Sequence, residues 1–207
     1  MTVQYCTDMA REHLTPQDWS NAALRAMARG GVAAVSVNAL AGELGATRGS
    51  FYWHFKDRDA LLTAALEMWE QHTTTALISE LGDITDPRQR LTVLFATALG
   101  RESINGLEPA IVAHADHPAV AQVLRRVTER RIAYLTDLFA ELGLAPAPAR
   151  RQAVVTYAAY LGWHELRHSV CDIVPEVATT GAIATAALEH LVTELARPAM
   201  PHRTQPQ

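Results

Sequence analysis

The stretch SVNALAGELGATRGSFYWHFKDRDALL, residues 36–62, constrains the fold more tightly than any other part of this chain. Ser36, Thr47 and Asp57 each stand where a side-chain oxygen can accept from the free backbone N–H groups of a first helical turn. Gly45 lies between the first two, and glycine takes the left-handed conformation that ends a helix. The spacing therefore predicts a short helix after Ser36, a tight turn, a second short helix over 48–54, and a long helix from 58 past Trp69. Val37, Leu40, Ala41 and Leu44 supply the inward stripe of the first, and Phe51 and Phe55, four apart, that of the second. Two short helices joined by a glycine turn make a helix-turn-helix unit.

The rest of the chain obeys the same period. A helix over 16–29 is expected, capped by Thr15, started by Pro16, stopped by Gly30-Gly31 and buried along Trp19, Ala23, Leu24 and Met27. Residues 85–197 read as longer helices opened near prolines, and no alternating run of β-branched residues precedes a hairpin turn. The fold expected is all-α. It comprises a flexible arm over 1–14, a helix-turn-helix domain over 15–60, a linking helix over about 57–74, a larger helical domain over 75–197 and a disordered tail over 198–207. With 49% hydrophobic and 19% charged residues, the chain can bury a core. No apolar run reaches the roughly 18 residues of a membrane span, and the first residues lack an apolar export core, so a cytoplasmic protein is expected. Cys6 and Cys171 form no motif and read as reduced thiols.

The second short helix begins Thr47-Arg48-Gly49-Ser50, slim enough to enter a major groove. Arg48 can offer two donors to O6 and N7 of guanine. Thr47 and Ser50 can bond a base edge or a phosphate. Tyr52, His54, Lys56 and Arg58 can donate to phosphate oxygens, and Tyr52, Trp53 and His54 share the outer side. Residues 1–60 hold six basic groups (Arg11, Arg25, Arg29, Arg48, Lys56, Arg58) against six acidic ones (Asp8, Glu12, Asp18, Glu43, Asp57, Asp59), a net charge of zero. Non-specific DNA affinity should therefore be modest.

The stretch over about 16–62 resembles the DNA-binding domain of the tetracycline-repressor (TetR) family, including its Tyr-x-His-Phe pattern at Tyr52, His54 and Phe55. The resemblance implies DNA contacts from Ser36 and Asn38 at the start of one helix and from Arg48, Ser50, Tyr52, Trp53 and His54 on the next. A lysine common in the family just inside the following helix is Arg58 here, and Lys56 stands where other members often have proline. It further implies a homodimer that binds a palindromic operator, represses transcription, and is released by a small-molecule effector. The last two long helices, rich in alanine, valine and leucine, suit a four-helix interface across a two-fold axis. Large, partly polar side chains recur on the middle helices at Trp69, His72, Phe95, Glu102, Tyr134, Tyr157, Tyr160 and Trp163. They are candidates for an apolar pocket with a few polar groups. No motif points to a cofactor.

Other signals compete. WHELRH, 163–168, contains HExxH, whose spacing would put His164 and His168 on one helix face beside Glu165, as in zinc hydrolases. Glu176, Glu189 and Glu194 are candidate third ligands, but no strand is available to edge a substrate cleft, and the pattern is read as chance or as a helix-surface or dimer contact, with no catalytic or metal site expected. HADH, 114–117, before Pro118, reads as a corner between helices. Arg125-Arg126 and Arg130-Arg131, interleaved with Glu129, read as a solvated face. A helical interaction module without DNA is the remaining alternative.

Overall fold

In the computed structural model, residues 14–100 and 106–197 are described, and all regular structure among them is helical. The elements are α1 (Pro16–Gly30), a 3₁₀ turn (Val32–Ala34), α2 (Val37–Glu43), α3 (Arg48–His54), α4 (Arg58–Glu70), α5 (Ala76–Leu81), α6 (Pro87–Gly100), α7 (Leu107–Ala113), α8 (Pro118–Glu141), α9 (Pro146–Val170), a second 3₁₀ turn (Pro175–Val177) and α10 (Ala182–Leu195). A π-helical turn, Gln71–Thr75, joins α4 to α5 without a break.

The helix starts follow local chemistry. Thr15 and Asp18 form a reciprocal capping box on α1, with the Asp18 carboxylate accepting from the Thr15 N–H at 2.7 Å. Thr47 Oγ1 accepts from the Ser50 N–H at 3.2 Å, and Asp57 Oδ1 accepts from the Ala60 N–H at 2.7 Å. Ser36 stands at the α2 N-cap position, but its side chain makes no capping bond. Gly45, with φ +60°, closes the α2–α3 turn in the left-handed region.

Two hydrophobic cores result. The first gathers Trp19, Met27, Leu40, Phe51, Leu61, Leu62, Leu66 and Trp69 from α1–α4, and also Leu107 and Ile111 of α7 and Val120, Val123 and Val127 of α8. The second gathers Leu91, Phe95 and Leu99 of α6, Leu135, Leu138 and Phe139 of α8, Ala149, Ala153 and Tyr157 of α9, and Val192 and Leu195 of α10. The boundary between cores thus cuts across the middle of α8. Helix α7 lies on α1: the His114 ring fills the space over Gly31, and Gly106 sits against both the His168 ring and the Ala28 carbonyl. A Cβ on Gly31 would meet the His114 ring at 2.2 Å, so only glycine permits this approach. His114–His117 form the corner before α8. The arm over 1–13, with Cys6 and Arg11, and the tail over 198–207 lie outside the described residues.

Candidate nucleic-acid interface and interior cavity

Helix α3 is fixed from its inner side. Phe51 is fully buried, edge-on to Trp19 at 5.4 Å and stacked on Phe55 at 5.7 Å. With that edge anchored and Thr47 capping the start, the opposite side can only face outward. Arg48, Tyr52 (52% exposed) and Trp53 (86% exposed) stand there. Asn38, Thr47 and Lys56 are exposed, whereas Ser36, Ser50 and His54 are half-buried. Among the described residues no hydrogen bond or ion pair ties Arg48, and Lys56 lies 3.9 Å from Asp57 in a loose, exposed pair.

One expected phosphate contact is otherwise engaged. Arg58 donates from Nε to the Val35 carbonyl at 2.7 Å and from Nη2 to the Val32 carbonyl, and it pairs with Asp59. It satisfies carbonyls left open where the 3₁₀ turn ends, and so ties α4 to the turn before α2. Arg25 and Arg29 both converge on Glu43, at 3.2 and 2.8 Å. Some desolvation opposes it, but these two guanidiniums hold the Glu43 carboxyl below its usual range. The cations of α1 are thus spent inside the unit. Arg48 and Lys56 are left to meet an anion.

The HExxH residues diverge. His164 is buried, edge-on to Tyr160 at 4.6 Å, and burial holds its pKa below the ordinary imidazole value. Glu165 is exposed and accepts from Ser169 at 2.6 Å, and His168 packs over Gly106. Glu176, Glu189 and Glu194 are all exposed. Among the described residues no three His, Cys, Asp or Glu side chains gather where one ion could reach them.

An interior cavity opens between the π turn and α5, α6, α8 and α9, with about 500 Å³ of space including its mouth. Of the expected pocket residues, Phe95, Tyr134, Tyr157 and Tyr160 line it. Trp69 stands one layer behind, its ring 5.3 Å from the Arg131 guanidinium. His72 is exposed on the π turn and Trp163 is half-buried on α9, and neither reaches the wall. Glu102 lies outside the described residues. Apolar wall comes also from Leu77, Ile78, Leu94 and Leu135.

The central polar group of the wall, Arg131, was expected on a solvated face and is instead interior, its side chain only 11% exposed. It pairs with buried Glu108 at 2.6 Å, donates to Thr74 at 2.9 Å and Thr73 at 3.1 Å, and lies under the Tyr160 ring at 5.3 Å. Burial disfavours its charge, but Glu108 more than offsets this and keeps it protonated. Burial also raises the Tyr160 phenol, which stays neutral. A readable signal existed: Val123, Val127, Arg131, Leu135 and Leu138 share one stripe of α8, so the arginine sits in an inward position. Its neighbour Arg126 pairs with Glu70 on α4, and Arg130 donates to Thr75 at 2.8 Å.

The description "Bacterial regulatory proteins, tetR family" matches residues 21–79. Over this segment, less than half of the chain, the protein is similar to that family. The HTH-type transcriptional regulator AcrR of Shigella flexneri is 41% identical over 56 residues, 27% of this chain and 25% of that protein. The shared stretch thus spans a quarter of the curated relative. Solved structures extend the likeness in fold. A transcriptional regulator of Rhodococcus sp. Rha1 superposes with a TM-score of 0.72 at 20% identity, over 88% of this chain and 94% of that one. Reduced Escherichia coli NemR gives 0.67 at 17% identity, over 87% and 94%. A Saccharomonospora viridis transcriptional regulator in complex with choline gives 0.64 at 18%, over 87% and 92%. Among the described residues the fold shared with these structures is all-α, with an N-terminal helix-turn-helix unit and a larger helical C-terminal part.

Proposed function

We propose that the protein is a sequence-specific DNA-binding transcriptional regulator, a repressor that grips a palindromic operator as a dimer and lets go when a small molecule fills the cavity. The observation that carries this reading is the outer side of α3. A rigid, capped helix presents Arg48, Tyr52 and Trp53 to solvent, unpaired, while its inner side is locked on Trp19. A free guanidinium at a helix start reads guanine, and exposed aromatic bodies with polar tips sit against sugar and phosphate. On this reading residues 15–60 form the DNA-binding domain, residues 75–197 the effector and dimer domain, and the protein works in the cytoplasm.

The last two long helices support a homodimer through α9 and α10. Val154, Val155 and Leu166 of α9 and Ile183 of α10 are large apolar side chains left exposed in the single chain. Apolar surface of that kind is stabilised by burial against a second copy. No helix among the described residues is long and apolar enough to cross a membrane.

The route from cavity to DNA is short. Glu108, on α7, holds Arg131 in the cavity wall, while the same helix puts Leu107 and Ile111 into the first core and leads to His114 on Gly31. A ligand that displaces the wall displaces α7, and with it the spacing of two recognition helices. Release then follows from differential affinity for the two spacings. The deciding experiment is fluorescence anisotropy on a labelled palindromic duplex taken from DNA beside the gene. The expected result is binding that exceeds a scrambled duplex and loses that preference with Arg48→Ala. Equal affinity of both proteins for both duplexes would sink the reading.

A further inference from the structure

Resting on the reading of the cavity as the effector site, we infer that its ligand is an uncharged, flat aromatic molecule of roughly one or two rings carrying one hydroxyl or carbonyl group, and that Thr156 on α9 is the residue that recognises that group.

Among the residues lining the cavity Arg131 alone carries a full charge, and Glu108 balances it at 2.6 Å. Its remaining reach goes to Thr73 and Thr74, and its face to the Trp69 and Tyr160 rings. A cationic ligand would enter beside a fixed guanidinium with no carboxylate left to receive it. An anionic ligand would leave the wall with an unmatched negative charge, because the one available cation is already paired. Either would lose its hydration without compensation. A neutral molecule meets neither cost.

Thr156 is 0% exposed, lines the cavity, and its Oγ1 has no hydrogen-bond partner. Buried hydroxyls in folded proteins are almost always satisfied, so an orphan on a cavity wall marks the place of a missing partner; the Tyr134 hydroxyl is a second such orphan on this wall, but it belongs to a residue less deeply buried than Thr156. A hydroxyl both donates and accepts, which fits a ligand carbonyl or hydroxyl equally. Shape completes the case. Tyr157 and Tyr160 lie nearly parallel, 13° between planes with centroids at 6.0 Å, and Phe95 lies across the cavity wall with them. Flat faces of this kind favour a ring.

The test uses the full-length protein and four matched probes: 2-naphthol, naphthalene, 2-naphthoate and 2-naphthylmethylammonium, with dissociation constants from equilibrium dialysis near neutral pH. The expected order puts 2-naphthol first and both ions last. Thr156→Val, which keeps shape and removes the hydroxyl, weakens 2-naphthol by roughly two- to tenfold and leaves naphthalene unchanged. Thr156→Ser restores the naphthol preference, which separates recognition from a folding defect. Tighter binding of either ion, no binding of any probe, or equal losses for naphthol and naphthalene in Thr156→Val would overturn the inference. Operator affinity measured in the same samples keeps the two readings apart. Selective naphthol binding with unchanged operator affinity upholds this ligand class and tells against effector release alone.

Discussion

The two cores of this protein are built from the same residue types, yet they are finished differently. In the first, Trp19, Phe51, Leu61, Leu62 and Leu66 are enclosed to the last atom, and three helix starts are capped within a few dozen residues. In the second, α6, α8 and α9 leave a cavity whose wall holds the buried Arg131–Glu108 pair and two hydroxyls, those of Thr156 and Tyr134, without a hydrogen-bond partner. Close packing makes the first core rigid, as the proposed match to the groove spacing of DNA requires. Leaving space in the second stores the means to respond, because a ligand can add contacts there that the protein lacks. The two are joined by α7 and α8, which contribute to the first core while Glu108 and Arg131 face the second.

That contrast can be broken at several points. The largest effect belongs to Glu108→Ala, which leaves the Arg131 guanidinium buried without its carboxylate. Chemical denaturation should show a loss of about 3–5 kcal/mol, and a loss under about 1 kcal/mol would mean that the pair is wet or loose. Next come matched truncations. Leu62→Ala in the first core should cost about 3–5 kcal/mol, and Leu135→Ala, beside space already empty, about 2–3 kcal/mol, since part of its contact is missing from the start. Equal costs would remove the distinction between a filled and a hollow core.

On the DNA side, Arg48→Ala should lower discrimination by about 1–3 kcal/mol at one operator position, read by anisotropy against base-substituted duplexes. Because Arg25, Arg29 and Arg58 are engaged within the unit, the proposed dimer brings about four free cations from the described residues of this region, two per subunit. The slope of log K against log salt should then be no steeper than about −4, and a slope near −8 would show that the internal pairs open on DNA.

The smallest effect concerns His164. Its folded pKa lies below the ordinary value because burial penalises the cation, so the unfolded chain binds the proton more readily. Stability is full above the unfolded pKa of about 6.5 and declines as pH falls below it toward the folded value. His164→Gln should flatten that decline between about pH 7 and 5.5 in thermal melts, and an unchanged profile would assign it to other groups.

The sequence alone determined what depends on neighbours in the chain. Caps at Thr15, Thr47 and Asp57, the left-handed Gly45 and the Phe51–Phe55 stripe are set by contacts within four residues, and each was legible. Of the seven expected pocket residues that are described, Phe95, Tyr134, Tyr157 and Tyr160 line the cavity and Trp69, His72 and Trp163 do not, because side-chain character does not say which side of a helix meets empty space. Tertiary structure decided the fate of the charges. Arg58 went to carbonyls 23 and 26 residues away, and Arg131 went inward to Glu108 across 23 residues and to Thr73 and Thr74 across 58 and 57. An arginine is long, flexible and indifferent to local backbone, so its partner is whichever acceptor the packed helices bring within reach.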